Sequence, residues 1–257
     1  MNKIQEAFKH KAFIPYVLAG APSLKATERF IEILAKAGAN LIEIGIPFSD
    51  PVAEGPVIQK ASKIALANKI TVDDIFVMIG NVNKKIDTPL IFMTYINSIF
   101  AYGKEQFFKR CKEVGIAGII IPDLPYEERY EVLAIAQQYQ IEIIYLIAPT
   151  SLERIKMIAP EASGFIYLIS SLGVTGMRKE ISTEIANIVA QIKVYTDIPV
   201  AIGFGISNPQ QAKALSKLAN GIIVGSAMVN IINEYGENAD SYIESFSREM
   251  IKAMYEI

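Results

Sequence analysis

The amino-acid sequence predicts an α/β protein of the (β/α)8 TIM barrel class. Its 257 residues are a length at which such barrels commonly fold as one domain. Eight short apolar runs alternate with amphipathic segments along the whole chain, and neither a linker nor a break in composition interrupts them. We therefore expect residues 1–257 to form a single barrel domain with an extra N-terminal helix. An open doubly wound sheet, which usually has fewer strands, is the structural alternative.

The candidate strands are nearly continuous in apolarity and rich in β-branched residues. This composition is typical of parallel strands that helices cover. The runs lie at Ala12–Leu18, Asn40–Ile44, Leu90–Tyr95, Gly118–Ile121, Glu142–Ile147, Gly164–Ile169, Pro199–Ile202 and Gly221–Val224.

Helical periodicity fills much of the sequence between these runs. In one such segment Phe30, Ile31 and Leu34 fall on one face, as in an amphipathic helix. The predicted helices are Thr27–Ala37, Lys104–Glu113, Glu128–Gln138, Thr183–Val194 and Pro209–Leu218. Glycines and prolines mark the joints, and in barrels the loops that follow the strands carry the chemistry.

Composition and charge narrow the class of protein. The chain is 51% hydrophobic with a net charge of −2, which gives no electrostatic reason to expect a nucleic acid or an anionic membrane as partner. The single cysteine, Cys111, excludes an intrachain disulfide, and the polar N-terminal segment lacks the features of a signal peptide. No run of about 18 apolar residues is present. These features lead us to expect a cytoplasmic protein.

The near absence of histidine limits the possible catalytic chemistry. His10 is the only one, so the usual His/Cys clusters cannot form a metal site, and a histidine-dependent nucleophile would have to use His10 itself. The predicted strands and their C-terminal ends also carry no lysine for a Schiff base. Carboxylates are then the main candidates for acid–base catalysis.

Glu43 is the first of these carboxylates. It stands inside the second apolar run, where a carboxylate is costly unless it is paired or used, and where burial would raise its pKa toward a value useful for proton transfer. A structural carboxylate with satisfied hydrogen bonds is the alternative. The loop that follows holds three prolines and two more acids, Asp50 and Glu54, which could instead act as turn or helix caps.

Small-residue loops in the second half indicate a phosphate site. They are residues 173–176, residues 203–207 and Gly225-Ser226, where glycine lets backbone N–H groups approach an anion. The loops after the last two strands are the usual phosphate site of such barrels, although plain tight turns would look alike. Four aromatic residues near the same end could line an apolar slot, while each alone is more often part of a core: Phe48, Tyr95, Tyr167 and Phe204.

Several of these segments together resemble one family. The run from Glu43 to Pro51 (EIGIPFSDP) looks like the signature of the tryptophan synthase alpha subunit family, and further matching motifs follow in the family's order over nearly the whole chain. They are Pro15–Pro22, Met93–Asn97, Ile121–Pro125, Leu146–Thr150, Leu172–Gly176, Gly203–Ser207 and Val224–Ala227.

This resemblance implies a lyase that cleaves indole-3-glycerol phosphate to indole and glyceraldehyde 3-phosphate in tryptophan biosynthesis. It implies no cofactor in this subunit and a pyridoxal-phosphate beta subunit as partner in an α2β2 complex. The family's catalytic glutamate falls on Glu43, which would take the proton of the glyceryl hydroxyl and serve in protonating the indole C3. The family's second catalytic acid is an aspartate that hydrogen-bonds the indole N–H, and Glu54 replaces it here with a side chain one methylene longer.

The resemblance also implies the remaining site residues. Phosphate-binding positions fall on Gly176, Gly205, Gly225 and Ser226, and the indole slot falls on Tyr95, Tyr167 and Phe204. Thr175 matches a residue that steadies the acidic loop, and Asp123 matches an aspartate in the same network. Two alternatives stay open: a catalytically weakened beta-subunit activator or phosphate-binding barrel, for which Glu54 is the only support, and a barrel acting on another phosphorylated substrate, such as an isomerase.

Overall fold

Eight parallel strands close into a barrel in the computed structural model, which describes residues 3–149, 152–169, 179–203 and 205–256. Each strand pairs with the next in sequence, and the last pairs with the first through Ala12 opposite Gly221. The strands are β1 (Ala12–Leu18), β2 (Ile42–Gly45), β3 (Leu90–Met93), β4 (Gly118–Ile120), β5 (Glu142–Ile147), β6 (Ile166–Ile169), β7 (Val200–Gly203) and β8 (Gly221–Val224). The predicted barrel class is confirmed.

Helices follow the strands along the chain. Their bounds are α1 (Lys3–Ala7), α2 (Leu24–Ala37), α3 (Pro56–Ala67), α4 (Val72–Val82), α5 (Ile96–Tyr102), α6 (Lys104–Val114), α7 (Tyr130–Gln138), α8 (Leu152–Ile158), α9 (Lys179–Tyr195), α10 (Pro209–Ser216), α11 (Ser226–Tyr235) and α12 (Asp240–Tyr255). In the described part of the chain, no helix is both long and apolar enough to span a lipid bilayer.

Alternation along the strands divides the core into two layers, because successive side chains of a strand point to opposite faces. The inner layer fills the barrel with one or two side chains from each strand or the residue just before it. It includes Ala12, Ile14, Leu41, Ile91, Ile120, Ile144, Phe165, Ala201 and Ile223. The outer layer is larger and packs the opposite strand faces, such as Ile42 and Ile44 of β2, against the helices.

The extra N-terminal helix is also confirmed. In α1, Ile4 is fully buried and belongs to the inner layer. Phe8, which follows the helix, packs its ring 5.3 Å from that of Phe165, the residue before β6. The helix therefore covers the N-terminal end of the barrel and leaves chemistry to the opposite end.

Local signals fix where the helices begin and end. The Ser23 hydroxyl accepts a hydrogen bond from the Ala26 N–H at 3.1 Å and caps α2, and Gly38 ends that helix with a φ of 105°, a conformation that favours glycine. Thr71 and Asp74 form a reciprocal capping box at the start of α4. The Ser23 cap thus sets the length of the loop that joins β1 to α2 at the barrel mouth.

Candidate active site

Glu43 points into the barrel from β2. Residues two apart on a strand share a face, so Leu41, Glu43 and Gly45 are all directed inward. The Glu43 side chain is 2% exposed, and its Oε2 has no hydrogen-bond partner among the described residues. Burial, followed by the nearby charge of Glu54, raises the pKa of Glu43 to about 8. The carboxyl group is therefore mostly protonated at neutral pH and can act as an acid.

Glu54 lies in the loop that joins β2 to α3, and this loop brings a second carboxylate to the same site. Its side chain is half-buried, and burial raises its pKa to about 7, while a hydrogen bond from Tyr95 acts in the opposite direction. The Gln59 side-chain amide donates to the Glu54 carbonyl oxygen at 2.8 Å and holds the end of the loop. The two carboxyl groups thus titrate near neutral pH, with that of Glu54 ionising first.

Tyr95 ties this acidic loop to the barrel. It follows β3, is 1% exposed, and accepts a hydrogen bond from the Ala53 N–H at 3.1 Å. Its ring stacks on Phe48 with centroids 4.8 Å apart and an interplanar angle of 19°. Burial raises the pKa of Tyr95 to about 12, so its hydroxyl stays protonated and can donate to Glu54. Tyr95 therefore contacts both ends of the loop.

Two tyrosine rings lie across the C-terminal ends of neighbouring strands, where a glycine leaves room for them. A Cβ on Gly45 would lie 2.6 Å from the Cζ of Tyr16, and a Cβ on Gly203 would lie 2.5 Å from the ring of Tyr167. Both tyrosines come from the strand preceding the glycine, β1 for Tyr16 and β6 for Tyr167. Burial, with the charge of Glu43 as a smaller cause, raises the pKa of Tyr167 well above its usual value. Both rings therefore border the space in front of Glu43.

Asp123 links the loops after β3 and β4. Its Oδ1 accepts a hydrogen bond from the Ile96 N–H at 2.9 Å, at the first residue of α5. The residue before α5 is Tyr95, so Asp123 holds the backbone next to the tyrosine that contacts the acidic loop. This is the only role that the described contacts give it.

Two of the three loops predicted to bind phosphate follow the adjacent strands β7 and β8, and the third, at residues 173–176, lies outside the described residues. Gly205 has a φ of 77°, in the left-handed region that favours glycine. Gly225 precedes the ten-residue helix α11, whose first residue is Ser226 and whose N-terminus has no side-chain cap. Free backbone N–H groups and the positive end of the helix dipole suit an anion at this position.

Three predicted site residues lie outside the described residues. They are Thr175, Gly176 and Phe204. His10 is exposed and comes just before β1, at the N-terminal end of the barrel, so it is remote from the carboxylates. Within the described ranges, no three His, Cys, Asp or Glu side chains come together in a way that could hold a metal ion.

Tyr16 is the residue of this site that the sequence reasoning missed. It is 2% exposed and lies opposite Glu43 in the β1–β2 register. Alternation along β1 places Ile14 and Tyr16 on the inner face, and that pattern is the signal that could have identified it. Within an otherwise apolar run, a tyrosine looks like an ordinary core residue.

Comparisons with known proteins give the family. The family model described as the tryptophan synthase alpha chain matches residues 2–255. The tryptophan synthase alpha chain of Lacticaseibacillus casei is 46% identical over 251 residues, which cover 97% of this chain and 94% of that relative.

Solved structures agree with this match. The crystal structure of tryptophan synthase subunit alpha from Legionella pneumophila str. Paris superposes with a TM-score of 0.91 at 36% identity and covers all of both chains. A chain of the tryptophan synthase complex from Pyrococcus furiosus superposes with a TM-score of 0.84 at 33% identity, covering 94% of this chain and 98% of that one. The chain therefore belongs to the tryptophan synthase alpha chain family, whose known role is the cleavage of indole-3-glycerol phosphate in tryptophan biosynthesis.

Proposed function

We propose that Glu43 and Glu54 are the catalytic residues with which this chain cleaves indole-3-glycerol phosphate. The observation that carries the proposal is the pair itself: two carboxyl groups in one barrel mouth, with pKa values raised to about 8 for Glu43 and to about 7 for Glu54. Near neutral pH this pair offers one acid and one carboxylate at the same time, which acid–base catalysis needs.

The reaction follows from these protonation states. The Glu43 carboxyl group gives its proton to C3 of the indole ring, and the resulting carboxylate takes the proton of the glyceryl hydroxyl on the attached carbon. The oxygen lone pair then forms the aldehyde carbonyl while the carbon–carbon bond breaks and its electrons return to the indole ring. The products are indole and glyceraldehyde 3-phosphate, and Glu43 is protonated again.

Glu54 acts on the other side of the substrate. Protonation at C3 makes the indole N–H more acidic, and a carboxylate that accepts its hydrogen bond stabilises the cationic ring. Glu54 is one methylene longer than the aspartate that the family resemblance implies. Its half-buried position, close enough to Tyr95 for that hydroxyl to lower the pKa of Glu54, supports a place for the longer side chain in the site.

The remaining residues bind the two ends of the substrate. Tyr95, Tyr167 and Phe204 form the indole slot, and Thr175 steadies the acidic loop. The phosphate is bound by Gly176, Gly205, Gly225 and Ser226. The uncapped N-terminus of α11 supports this assignment, because its free backbone N–H groups suit an anion, and the left-handed conformation of Gly205 allows the kind of turn in which a backbone can approach one.

Partner and location complete the proposal. We infer that residues 1–257 form one domain, that the chain works in the cytoplasm without a cofactor of its own, and that it assembles with a beta subunit as α2β2. Val52 and Phe100, which are 81% and 45% exposed, lie in the acidic loop and in α5, beside the barrel mouth, where a covering subunit would bury them. Molecular mass by light scattering, with and without the beta subunit, tests the assembly.

Glu43→Gln tests the central role. The amide keeps the shape of the side chain and removes the proton transfer, so we expect indole release from indole-3-glycerol phosphate to be abolished while the barrel still folds. Full activity of this variant, with or without the beta subunit, would rule out the mechanism. A different product from the native chain would instead favour a barrel acting on another phosphorylated substrate.

Glu54→Asp separates a competent enzyme from a weakened activator. The shorter acid withdraws from Tyr95, whose hydroxyl lowers the pKa of Glu54, so we expect the rate of indole formation to stay level or fall. A large gain in that rate would show that the native residue is a poor catalyst and would favour an activator that has drifted from the chemistry.

A further inference from the structure

Two buried polar atoms at the barrel mouth lack partners. Among the described residues, the Tyr16 hydroxyl and Glu43 Oε2 are both buried without a hydrogen bond. An unsatisfied buried group of this kind costs about 1–3 kcal/mol, so most such groups in proteins have a partner. Two unsatisfied polar atoms on residues that are partners in neighbouring strands indicate a place where a polar ligand completes the hydrogen bonds.

The backbone brings these two side chains to the same part of the barrel mouth. Tyr16 and Glu43 are register partners on β1 and β2, and both point inward. The Tyr16 ring crosses β2 over Gly45, two residues beyond Glu43 on the same face of that strand. The hydroxyl therefore lies one step further toward the barrel mouth than the carboxyl group, on the side from which a substrate enters.

Packing fixes the hydroxyl in this position. The Tyr16 ring belongs to a buried cluster with Leu18, with Ile58 of α3 and with Val229 of α11. A Cβ on Gly225 would lie 3.9 Å from the Tyr16 Cβ, so this side chain spans the distance between the predicted phosphate end and Gly45. A ring held on three sides offers its hydroxyl in a preorganised place.

We propose that Tyr16 is a further catalytic residue whose hydroxyl donates a hydrogen bond to the glyceryl oxygen from which Glu43 removes the proton. The inference rests on the proposed lyase function. Negative charge gathers on this oxygen as the proton moves to Glu43 and before the carbonyl forms, and a fixed donor stabilises that charge. The Tyr16 proton stays on the phenol throughout, so the proton balance of the reaction is unchanged.

The protonation state of Tyr16 suits this role. Burial, followed by the charges of Glu54 and Glu43, raises the pKa of Tyr16 well above its usual value. The phenol therefore remains a donor over the whole pH range in which Glu43 and Glu54 titrate. It does not compete with Glu43 for the proton.

Tyr16→Phe tests the inference in the 257-residue chain. The ring stays and only the hydroxyl is lost, so we expect kcat for indole formation to fall by about 10- to 100-fold, because the lost bond forms mainly in the transition state. KM should change by less than about threefold for the same reason. The thermal midpoint should stay level or rise, because an unpaired buried hydroxyl has been removed.

Tyr145→Phe is the matched control. Tyr145 is a buried strand tyrosine on the outer layer of the barrel, away from Glu43, and its variant should keep the native kcat. A Tyr16→Phe variant with kcat within about threefold of native, with only KM raised, or with a clearly lowered thermal midpoint would overturn the inference. Failure of the native chain itself to release indole would instead refute the proposed function, and this inference with it.

Discussion

The Tyr16 hydroxyl occupies the place where Gly45 would carry its side chain. A Cβ at Gly45 would meet that hydroxyl, and it would also lie 2.6 Å from the Tyr16 Cζ and 2.8 Å from the Leu18 Cδ1. Such approaches are shorter than any van der Waals contact, so the tyrosine can cross β2 only because position 45 is glycine. The geometry in front of Glu43 thus depends on a residue that has no functional group.

Gly45→Ala should separate activity from folding. The added methyl group displaces the Tyr16 ring, and a shift of about 1 Å in a catalytic group can cost on the order of a hundredfold in rate. Overpacking in a core costs about 1–3 kcal/mol, so the barrel should still fold. Steady-state rates of indole formation and urea unfolding of the variant measure the two effects.

Gly80→Ala is the control for that prediction. Gly80 lies in α4, and a Cβ there would make an ordinary contact 3.7 Å from Val114 Cγ1. Glycine within a helix costs about 0.5–1 kcal/mol relative to alanine, so this variant should be slightly more stable and fully active. Native activity in Gly45→Ala would show that the position of the Tyr16 ring does not matter to the reaction.

Glu43→Gln should make the protein more stable at neutral pH while it abolishes the reaction. The folded-state pKa of Glu43 is raised to about 8, above its unfolded value. At a pH between the unfolded and the folded pKa, the unfolded chain has released a proton that the folded chain keeps. The free energy of unfolding therefore falls by about 1.4 kcal/mol for each unit by which the pH rises. The amide does not titrate, so this loss should disappear.

Urea unfolding at pH 5.5 and pH 7.5 checks that stability falls as the pH rises. The free energy of unfolding of the native chain should drop more steeply between the two values than that of Glu43→Gln. Glu249→Gln serves as the control, because Glu249 is an exposed residue of α12 and its replacement should leave the native slope in place. Equal slopes for the native chain and Glu43→Gln would contradict a raised pKa.

The strands show how far apolar patterning predicts this fold. The predicted bounds of β1, β5 and β8 agree with the structure. For β8 the reason is plain in the sequence, because Asn220 and Gly225 interrupt the apolar run at its two ends. β2 begins at Ile42 rather than Asn40, and β6 at Ile166 rather than Gly164, because pairing with the neighbouring strands sets where a strand starts. A residue at the edge of an apolar run, such as Asn40 or Gly164, can lie outside this pairing, so the run alone does not fix where the strand begins.

The helices and the site reveal a second limit. The segment of α5 follows Tyr95 directly and has only seven residues, which is too short for apolar spacing to establish a helix, so the sequence predicts only a strand that ends at Tyr95. Glu43 was predictable because a carboxylate is rare in an apolar run. Alternation along β1 could have placed Tyr16 on the inner face, but its role depends on the crossing over Gly45, which only the folded barrel creates.

Glu54→Gln should lower the pH at which activity is lost on the alkaline side, where Glu43 loses its proton. The proposed reaction needs Glu54 ionised and Glu43 protonated, so the rate should rise with pH through about 7 and fall through about 8. The charge of Glu54 helps to raise the pKa of Glu43, and the amide removes that charge. The residual kcat/KM should therefore decline at lower pH than in the native chain, and an unmoved alkaline limb would count against electrostatic coupling of the pair.

Tyr95→Phe should move the acidic limb of the pH–rate profile, where activity rises as Glu54 ionises, to higher pH. The Tyr95 hydroxyl lowers the pKa of Glu54 and also accepts the Ala53 N–H, so its loss raises the pKa of Glu54 and loosens the acidic loop. We expect the ratio of native to variant kcat/KM to be larger at pH 6.5 than at pH 7.5, because the variant needs a higher pH to ionise Glu54. Tyr102→Phe is the control, since the Tyr102 hydroxyl donates to Asp73 on the outside of the barrel, and it should leave both limbs in place. A ratio that is the same at both pH values would mean that Tyr95 acts only by packing on Phe48, whose ring it would still contact as phenylalanine.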